Sequence, residues 1–392
     1  MTASSRSGML IALLTALLSR GVALAADDRD LTLTVVDEAG CPVAGAEVGS
    51  FIGNIVPDST PGNLKQGELT LRWYYGPDAA TARITDCHGQ VKLKQAWLFD
   101  PDFDHATPLI ACTKCRTLMG IRQVSRDDPG KELKLVIQPT CEVTVSLTCR
   151  ELEHLAQGPW STVMVHKEGL RLLERISADG EHAFRLPPGE FELGAAARDT
   201  YMKRPKLTIK AGERQKPIAI GLVPTRIAQL VGKTAPELTQ IKGWKNGGPV
   251  KLADLKGKVV ILDFWGHWCG PCIGRMPHLM ELHDKYADKG LVIIAVHDDS
   301  VENIEELEKH LEKIRKEDGN GRDLPFLVAL DGGGELPVEG RHAAVRGATT
   351  AAYGVPFWPT YVLIGRDGIV QGAIAMHRPE HVARIEQALG LK

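Results

Sequence analysis

The chain lacks any long block of charge of one sign. Lys and Arg number 47 against 49 Asp and Glu, for a formal net charge of −2. A basic stripe of the kind that grips a phosphate backbone is therefore missing, and a nucleic-acid partner is not expected. Apolar runs long enough to span a bilayer are also missing. The run Met9–Leu18 falls well short of the ~20 residues such a helix needs. Cysteine is absent between Cys149 and Cys269 and again after Cys272. None follows the first apolar run closely, which argues against a lipoprotein. Helical periodicity is poor throughout residues 140–223, which excludes an α-helical middle.

What is present begins with that first run. Arg6 precedes it, and the small residues Ala23, Ala25 and Ala26 follow, with Arg20 interrupting the approach. A basic start, a short apolar core and an Ala-Leu-Ala end predict a cleaved secretory signal over residues 1–26. The mature chain is then expected to be periplasmic or secreted, without a transmembrane segment, where disulfides persist. Eight cysteines fit that compartment. Six of them, Cys41, Cys87, Cys112, Cys115, Cys141 and Cys149, precede residue 150, and an even number favours structural disulfides. Their pairing stays open. Cys141 and Cys149 are too far apart to bond if residues 142–148 form one strand.

The 392 residues suffice for two or three domains. Leu31–Val36 alternates apolar and polar residues, the pattern of a half-buried strand. Turns follow at Asp37-Glu38-Ala39-Gly40 and Pro42-Val43-Ala44-Gly45, and Thr85–Leu93 forms a strand pair across a turn containing Gly89. These segments resemble the carboxypeptidase regulatory-like β-sandwich, which assigns residues 27–139 to one such module. Phe51–Tyr75 exceeds a strand connection and is expected to be an insertion. Ser177–Leu193 echoes the Thr85–Leu93 turn, and Leu207–Ile209 and Ile218–Leu222 read as further strands. Residues 140–224 are therefore expected to be a second β-sandwich, a diverged repeat of the first. Residues 225–231 are expected to be a linker.

The pattern changes after residue 231. Val259–Trp265 is a continuous apolar strand apart from Asp263, and Ile273–Tyr286 is helical in period. Between them stands Trp268-Cys269-Gly270-Pro271-Cys272. Leu291–Val296 is a second apolar strand. Ser300 is the expected N-cap of a helix with the stripe Ile304, Leu307, Leu311 and Ile314. Thr360–Ile364 and Ile369–Ala373 flank an Arg366-Asp367-Gly368 turn, and a helix closes the chain. A sulfur at a helix start gains backbone N–H groups and the positive end of the helix dipole, both of which stabilise a thiolate.

Val231–Pro236, the stretch Leu262–Cys272 and Val355–Thr360 together resemble the thioredoxin-fold proteins of the extracytoplasmic TlpA/ResA type. The resemblance covers residues 232–392. It implies an α/β thioredoxin-like domain whose mixed central sheet is flanked by helices, so that with the all-β sandwich modules before it the chain is expected to be multidomain. It implies thiol–disulfide oxidoreductase activity. Cys269 would be the nucleophile and Cys272 the resolving thiol, and their redox-active disulfide would be the only redox group, with no cofactor and no metal. Asp263 would exchange a proton with the resolving cysteine, its pKa raised by burial. Pro359 would be the cis proline facing the dithiol turn, with Pro356 as its rival. Trp268, Trp358, Pro359, Gly270 and Pro271 would contact the partner chain. Pro277 would kink the first helix. Partners would be disulfide-bearing or dithiol proteins of the cell envelope, with a membrane electron donor as a further candidate. The site departs from that family at Arg275, where many members carry a Glu three residues after the second cysteine. An Arg there cannot act as a base, and its charge should lower thiolate pKa values.

Three other features need weighing. Trp265 is expected beside the sulfurs or in plain core packing, and His267 as a solvent-facing loop residue, with tuning of the thiolate by its charge as the alternative. Cys112-Thr113-Lys114-Cys115 lacks the His of a haem attachment site, and structural disulfides with other N-terminal cysteines are expected there. A redox pair, or a metal site with Cys87 and His88, is the alternative. Two competing functions remain. A peroxiredoxin-type peroxidase would want a hydroxyl residue three before its cysteine, where Gly266 stands. An envelope-binding protein would give the sandwich modules the main role.

Overall fold

The structure is a computed structural model that describes residues 30–53, 69–73, 82–99, 106–126, 132–152, 161–177, 179–317, 321–340, 343–376 and 379–391. The expected signal at 1–26 lies outside the described residues. Among those described, no helix is long and apolar enough to cross a membrane.

The N-terminal half is β-rich and holds two apolar clusters. Around the first, the strand Asp30–Val36 pairs antiparallel with Gln90–Lys94 and parallel with Glu132–Val136. It faces a five-stranded sheet that includes Thr107–Cys112, buried at all six positions. Leu33, Val35, Leu109 and Ala111 meet between the sheets. Around the second cluster, Cys141–Thr148 pairs antiparallel with Glu181–Leu186 and parallel with Ile218–Gly221. The same three-strand arrangement thus occurs twice in chain order.

Two boundaries differ from expectation. Within Phe51–Tyr75, Phe51–Gly53 and Thr70–Arg72 pair with each other, and Phe51–Gly53 joins the strand Leu170–Ser177 in parallel. The expected insertion therefore completes the six-stranded sheet of the second unit, where Ile52 and Leu71 are buried. The units share strands because this edge would otherwise stay unpaired. The expected linker contains a short helix, α1 (Arg226–Leu230), capped by the Thr225 hydroxyl, which accepts from Ala228 N at 3.2 Å. Ile227 and Leu230 are buried in the core of the C-terminal domain, so this segment is packed rather than free.

That domain contains a six-stranded mixed sheet. Its strands are β1 (Gly243–Lys245), β2 (Val259–Trp265), β3 (Leu291–His297), β4 (Leu327–Leu330), β5 (Thr360–Ile364) and β6 (Val370–Ile374). The order is β1-β4-β3-β2-β5-β6, with β2, β3 and β4 parallel and the others antiparallel to their neighbours. Helices α2 (Gly270–Ile273), α3 (Met276–Tyr286), α4 (Ile304–Glu317), α5 (Ala348–Tyr353) and α6 (Pro379–Ala388) complete it.

Strand β2 is buried at all seven positions. Val259, Ile261 and Trp265 point to one apolar cluster, and Val260, Leu262 and Phe264 to the other. Each such side chain contributes about 1.5–3 kcal/mol on burial, so β2 anchors the domain. Helix α4 buries Leu307 and Leu311 as expected, but its cap is Asn303, whose Oδ1 accepts from Glu306 N at 2.9 Å. Ser300 instead donates to Asp298.

The second β unit is docked on this domain through Tyr201, which is 5% exposed. Its hydroxyl donates to Gly354 O at 3.0 Å and accepts from Arg226 N at 3.3 Å. The ring fills space left by two glycines. A Cβ at Gly340 would lie 2.5 Å from the ring, and one at Gly354 would lie 2.8 Å from the hydroxyl. Arg198 adds a second tie, Nη2 to His381 Nε2 at 3.1 Å.

Candidate active site

Cys269 and Cys272 are joined, with Cα atoms 5.3 Å apart. The chain leaves β2 at Trp265, turns through Gly266 and His267, and enters α2 at Gly270. Cys269 caps α2, and its Sγ accepts from Cys272 N at 3.3 Å. The helix breaks at Gly274 and Arg275, and α3 restarts with Pro277 in its first turn. Pro277 has no N–H to continue the ladder, which accounts for the break. The sulfur is therefore stabilised by a local N–H more than by a long aligned helix. Cys269 is 5% exposed and Cys272 2%, so Cys269, the expected nucleophile, is the more open of the two but still enclosed.

Asp263 lies on the same face of β2 as Ile261 and Trp265, the face that packs with both cysteines. It is 2% exposed, and its Oδ1 has no hydrogen-bond partner among the described residues. Burial pushes its carboxyl up to about 8. Tyr361 stands opposite it in the β2–β5 ladder and packs in the cluster containing both cysteines. Its hydroxyl, too, lacks a hydrogen-bond partner among the described residues. Burial pushes the phenol up, the Asp263 charge adds to this, and the Arg275 charge opposes it. Asp263, Tyr361 and Arg275 therefore share one electrostatic neighbourhood. Only β-ladder register brings Tyr361 there, so no local motif could have announced it.

The Trp358–Pro359 bond is cis, while Pro356 is not among the cis prolines. Trp358 packs against Trp268, with ring centroids 5.5 Å apart. Trp268 is 52% exposed and its Nε1 donates to Asp298 Oδ2 at 3.2 Å. Pro271, Trp358 and Pro359 line one cleft. Gly270 opens α2 and has nothing near its Cα that a side chain would meet. Trp265 is fully buried in the cysteine cluster, edge-on to His297 at 4.7 Å, so both of its expected roles coincide.

His267 is not a free loop residue. Its ring stacks on His310 at 3.8 Å and lies parallel to His297 at 5.3 Å. His297 Nε2 accepts from His267 N at 3.0 Å. Burial brings His297 down to about 3, and burial with the His310 charge lowers His267. His297 and His310 lie 28 and 41 residues beyond Cys269, on β3 and α4, and carry no motif.

The six N-terminal cysteines are unpaired, against the expectation of structural disulfides. Cys112 is buried at a strand end, where burial pushes its thiol up to about 12. Cys115 is exposed in the next turn, and hydrogen bonds from Thr117 and Thr113 bring it down to about 7. Cys141 and Cys149 stand at opposite ends of one strand, too far apart to join. Cys87 Sγ lies 3.5 Å from His88 Nδ1, but no group of three or more metal-ligating side chains gathers among the described residues.

A mixed sheet carrying a Cys-x-x-Cys turn at a helix start, with a cis proline on the neighbouring strand, defines a thioredoxin-fold dithiol protein. Residues 231–373 match the AhpC/TSA family. Over 142 residues the chain is 38% identical to the thiol-disulfide oxidoreductase ResA of Bacillus thuringiensis subsp. konkukian, a match spanning 36% of this chain and 66% of that protein. ResA of Oceanobacillus iheyensis is 33% identical over 156 residues, spanning 38% of this chain and 69% of the relative. The crystal structure of the thioredoxin domain of a Bacteroides vulgatus thiol-disulfide oxidoreductase is 24% identical. It covers 41% of this chain and 97% of that domain, with a TM-score of 0.30, too low to bear on the fold. Through its C-terminal domain the chain belongs to the ResA-type thiol–disulfide oxidoreductases.

Proposed function

We propose that this chain is an extracytoplasmic thiol–disulfide oxidoreductase that exchanges electrons with disulfide-bearing or dithiol proteins of the cell envelope. The observation that carries this reading is the Cys269–Cys272 pair at the head of α2, with Asp263 buried behind it. In the reducing direction, the Cys269 thiolate attacks one sulfur of a partner disulfide and the other sulfur leaves. The thiolate of Cys272 then attacks Cys269 Sγ, closes the ring and releases the partner's second sulfur. Two electrons pass to the partner. Asp263, held up to about 8 by burial, keeps its proton in most molecules near neutral pH, and its ionised fraction is the base that accepts the Cys272 proton. The Gly270-Pro271 dipeptide, which resembles that of reducing thioredoxins, favours this direction. A membrane electron donor would re-reduce the pair.

The two β units are best understood as carboxypeptidase regulatory-like sandwich modules. Their repeated three-strand arrangement supports this. The extracytoplasmic setting rests on the N-terminal signal pattern. A peroxidase of the peroxiredoxin type fits poorly, because a Cβ at Gly266 would come within 2.6 Å of the Trp268 indole. A hydroxyl residue there has no room without moving Trp268.

Replacing Cys272 by Ala tests the reading. The variant should accumulate mixed disulfides on Cys269 in an envelope extract, and the intact protein should reduce insulin. Absence of both would refute it.

A further inference from the structure

A cleft of about 770 Å³ runs between the second β unit and the C-terminal domain. Its C-terminal wall holds Pro271, Arg275, Trp358, Pro359 and Tyr361. The opposite wall is the segment after the strand Gly189–Ala196, with Arg198, Tyr201, Met202 and Arg204. The size falls within the ~300–1,000 Å³ of ordinary ligand sites. Tyr201 on Gly354, and Arg198 on His381, hold the second wall in place. The β unit is therefore built into the edge of the dithiol site.

The lining is apolar with an excess of positive charge. Three arginines, Arg198, Arg204 and Arg275, face one acid, Asp199, and burial disfavours the charged form of His381. Arg204 is paired with Glu192 at 2.9 Å. Among the described residues, Arg198 and Arg275 have no ion pair. Tyr361 is 4% exposed and its buried hydroxyl has no hydrogen-bond partner among the described residues, yet the residue lines the same cleft as Arg275. A buried hydroxyl without a partner costs about 1–3 kcal/mol, and a ligand oxygen would satisfy it. A guanidinium and a phenol O–H that line one cleft and interact electrostatically form a donor set for a carboxylate.

We propose that this cleft is the partner site and that the second β unit helps select the partner. Its occupant is an extended, cysteine-bearing protein segment with an acidic residue near the cysteine. The carboxylate lies against Arg275 and Tyr361, and the segment continues along Met202 and Trp358 toward Arg198. A small disulfide would fill only the end near Pro271 and leave the Arg198 wall unused. This rests on the reading of Cys269 and Cys272 as an exchanging pair and adds its substrate chemistry.

The test uses the full chain in its reduced form. Three short peptide disulfides are compared, with Asp, Ser or Lys flanking the cysteine, and the linear 2-hydroxyethyl disulfide is the uncharged control. Each reaction takes two electrons from the protein dithiol and yields two thiols. The Asp peptide should react about tenfold or more faster than the Lys peptide at low salt, an advantage that shrinks as ionic strength rises toward about 1 M. Arg198→Glu and Arg275→Glu should each reverse or erase the preference. A merely structural role for Arg198 would not speed the Lys peptide. Equal rates for all three peptides, or a preference that survives both charge reversals, would overturn the proposal. Failure to react with any peptide and with 2-hydroxyethyl disulfide would instead overturn the exchange reading beneath it.

Discussion

Asp263 faces Tyr361 directly across the antiparallel β2–β5 ladder, and neither side-chain oxygen named above finds a hydrogen-bond partner among the described residues. Two buried, unsatisfied polar groups on one cross-strand pair are costly for folding. The cost falls beside the dithiol, where a carboxyl that keeps its proton near neutrality and a hydroxyl that waits for a ligand are both useful.

The first prediction follows from the Asp263 shift. The native carboxyl titrates at about 8, against about 3.9 in an unfolded chain. Between those values the native state holds a proton that the unfolded state has released. Stability must therefore fall as pH rises through this window. Asp263→Asn removes the effect. Urea midpoints should coincide for the two proteins near pH 4, and the variant should be more stable near pH 8, by up to about 5 kcal/mol. The same variant should slow release of the partner by Cys272 by about 10²-fold, as loss of a general base does.

Tyr361→Phe separates stability from recognition. Removing an unsatisfied buried hydroxyl should leave stability unchanged or raise it by about 1 kcal/mol. Exchange with an acid-flanked peptide should weaken while exchange with dithiothreitol persists. A loss of stability of several kcal/mol would show that the hydroxyl has a structural partner.

The dithiol and its neighbours were legible in sequence because their chemistry is local. Cys269, Cys272 and Asp263 lie on one strand-turn-helix, and the Pro359 position follows from the strand after it. Tyr361, His297 and His310 were not legible, because strand register and the packing of α4 on the turn place them there. Residues 225–231 resembled a linker by position, yet Ile227 and Leu230 are core. Phe51–Tyr75 resembled an insertion because its pairing strand, Leu170–Ser177, comes more than a hundred residues later. The mixed sheet was legible from its continuous apolar strands, and the repeated β arrangement from its turns. The cysteine count suggested disulfides that the fold does not form: Cys112 and Cys149 are buried apart from any partner sulfur.

Tyr201→Ala should undock the second β unit. The ring fills gaps at Gly340 and Gly354, so its removal leaves a cavity and breaks the bond to Gly354 O. A cost of about 3–5 kcal/mol is expected. In calorimetry the C-terminal domain should then melt apart from the β units, and acid-flanked peptides should lose their advantage. A single unchanged transition would show that other contacts dominate the interface.

Gly266→Thr addresses the peroxidase alternative. The new Cβ would collide with the Trp268 indole and disturb the Trp268–Asp298 hydrogen bond. The variant should lose about 1–3 kcal/mol of stability and gain no turnover of hydrogen peroxide. A gain in peroxide turnover would contradict the dithiol-exchange assignment.

The most direct test is a redox titration of the full chain against dithiothreitol, with free thiols trapped by alkylation and located by mass. Cys269 and Cys272 should be reduced together in one two-electron transition, with a tenfold change in ratio for about 30 mV. The other six cysteines should stay outside that transition. A pair that stays oxidised at every ratio, or two thiols that appear independently, would contradict the account.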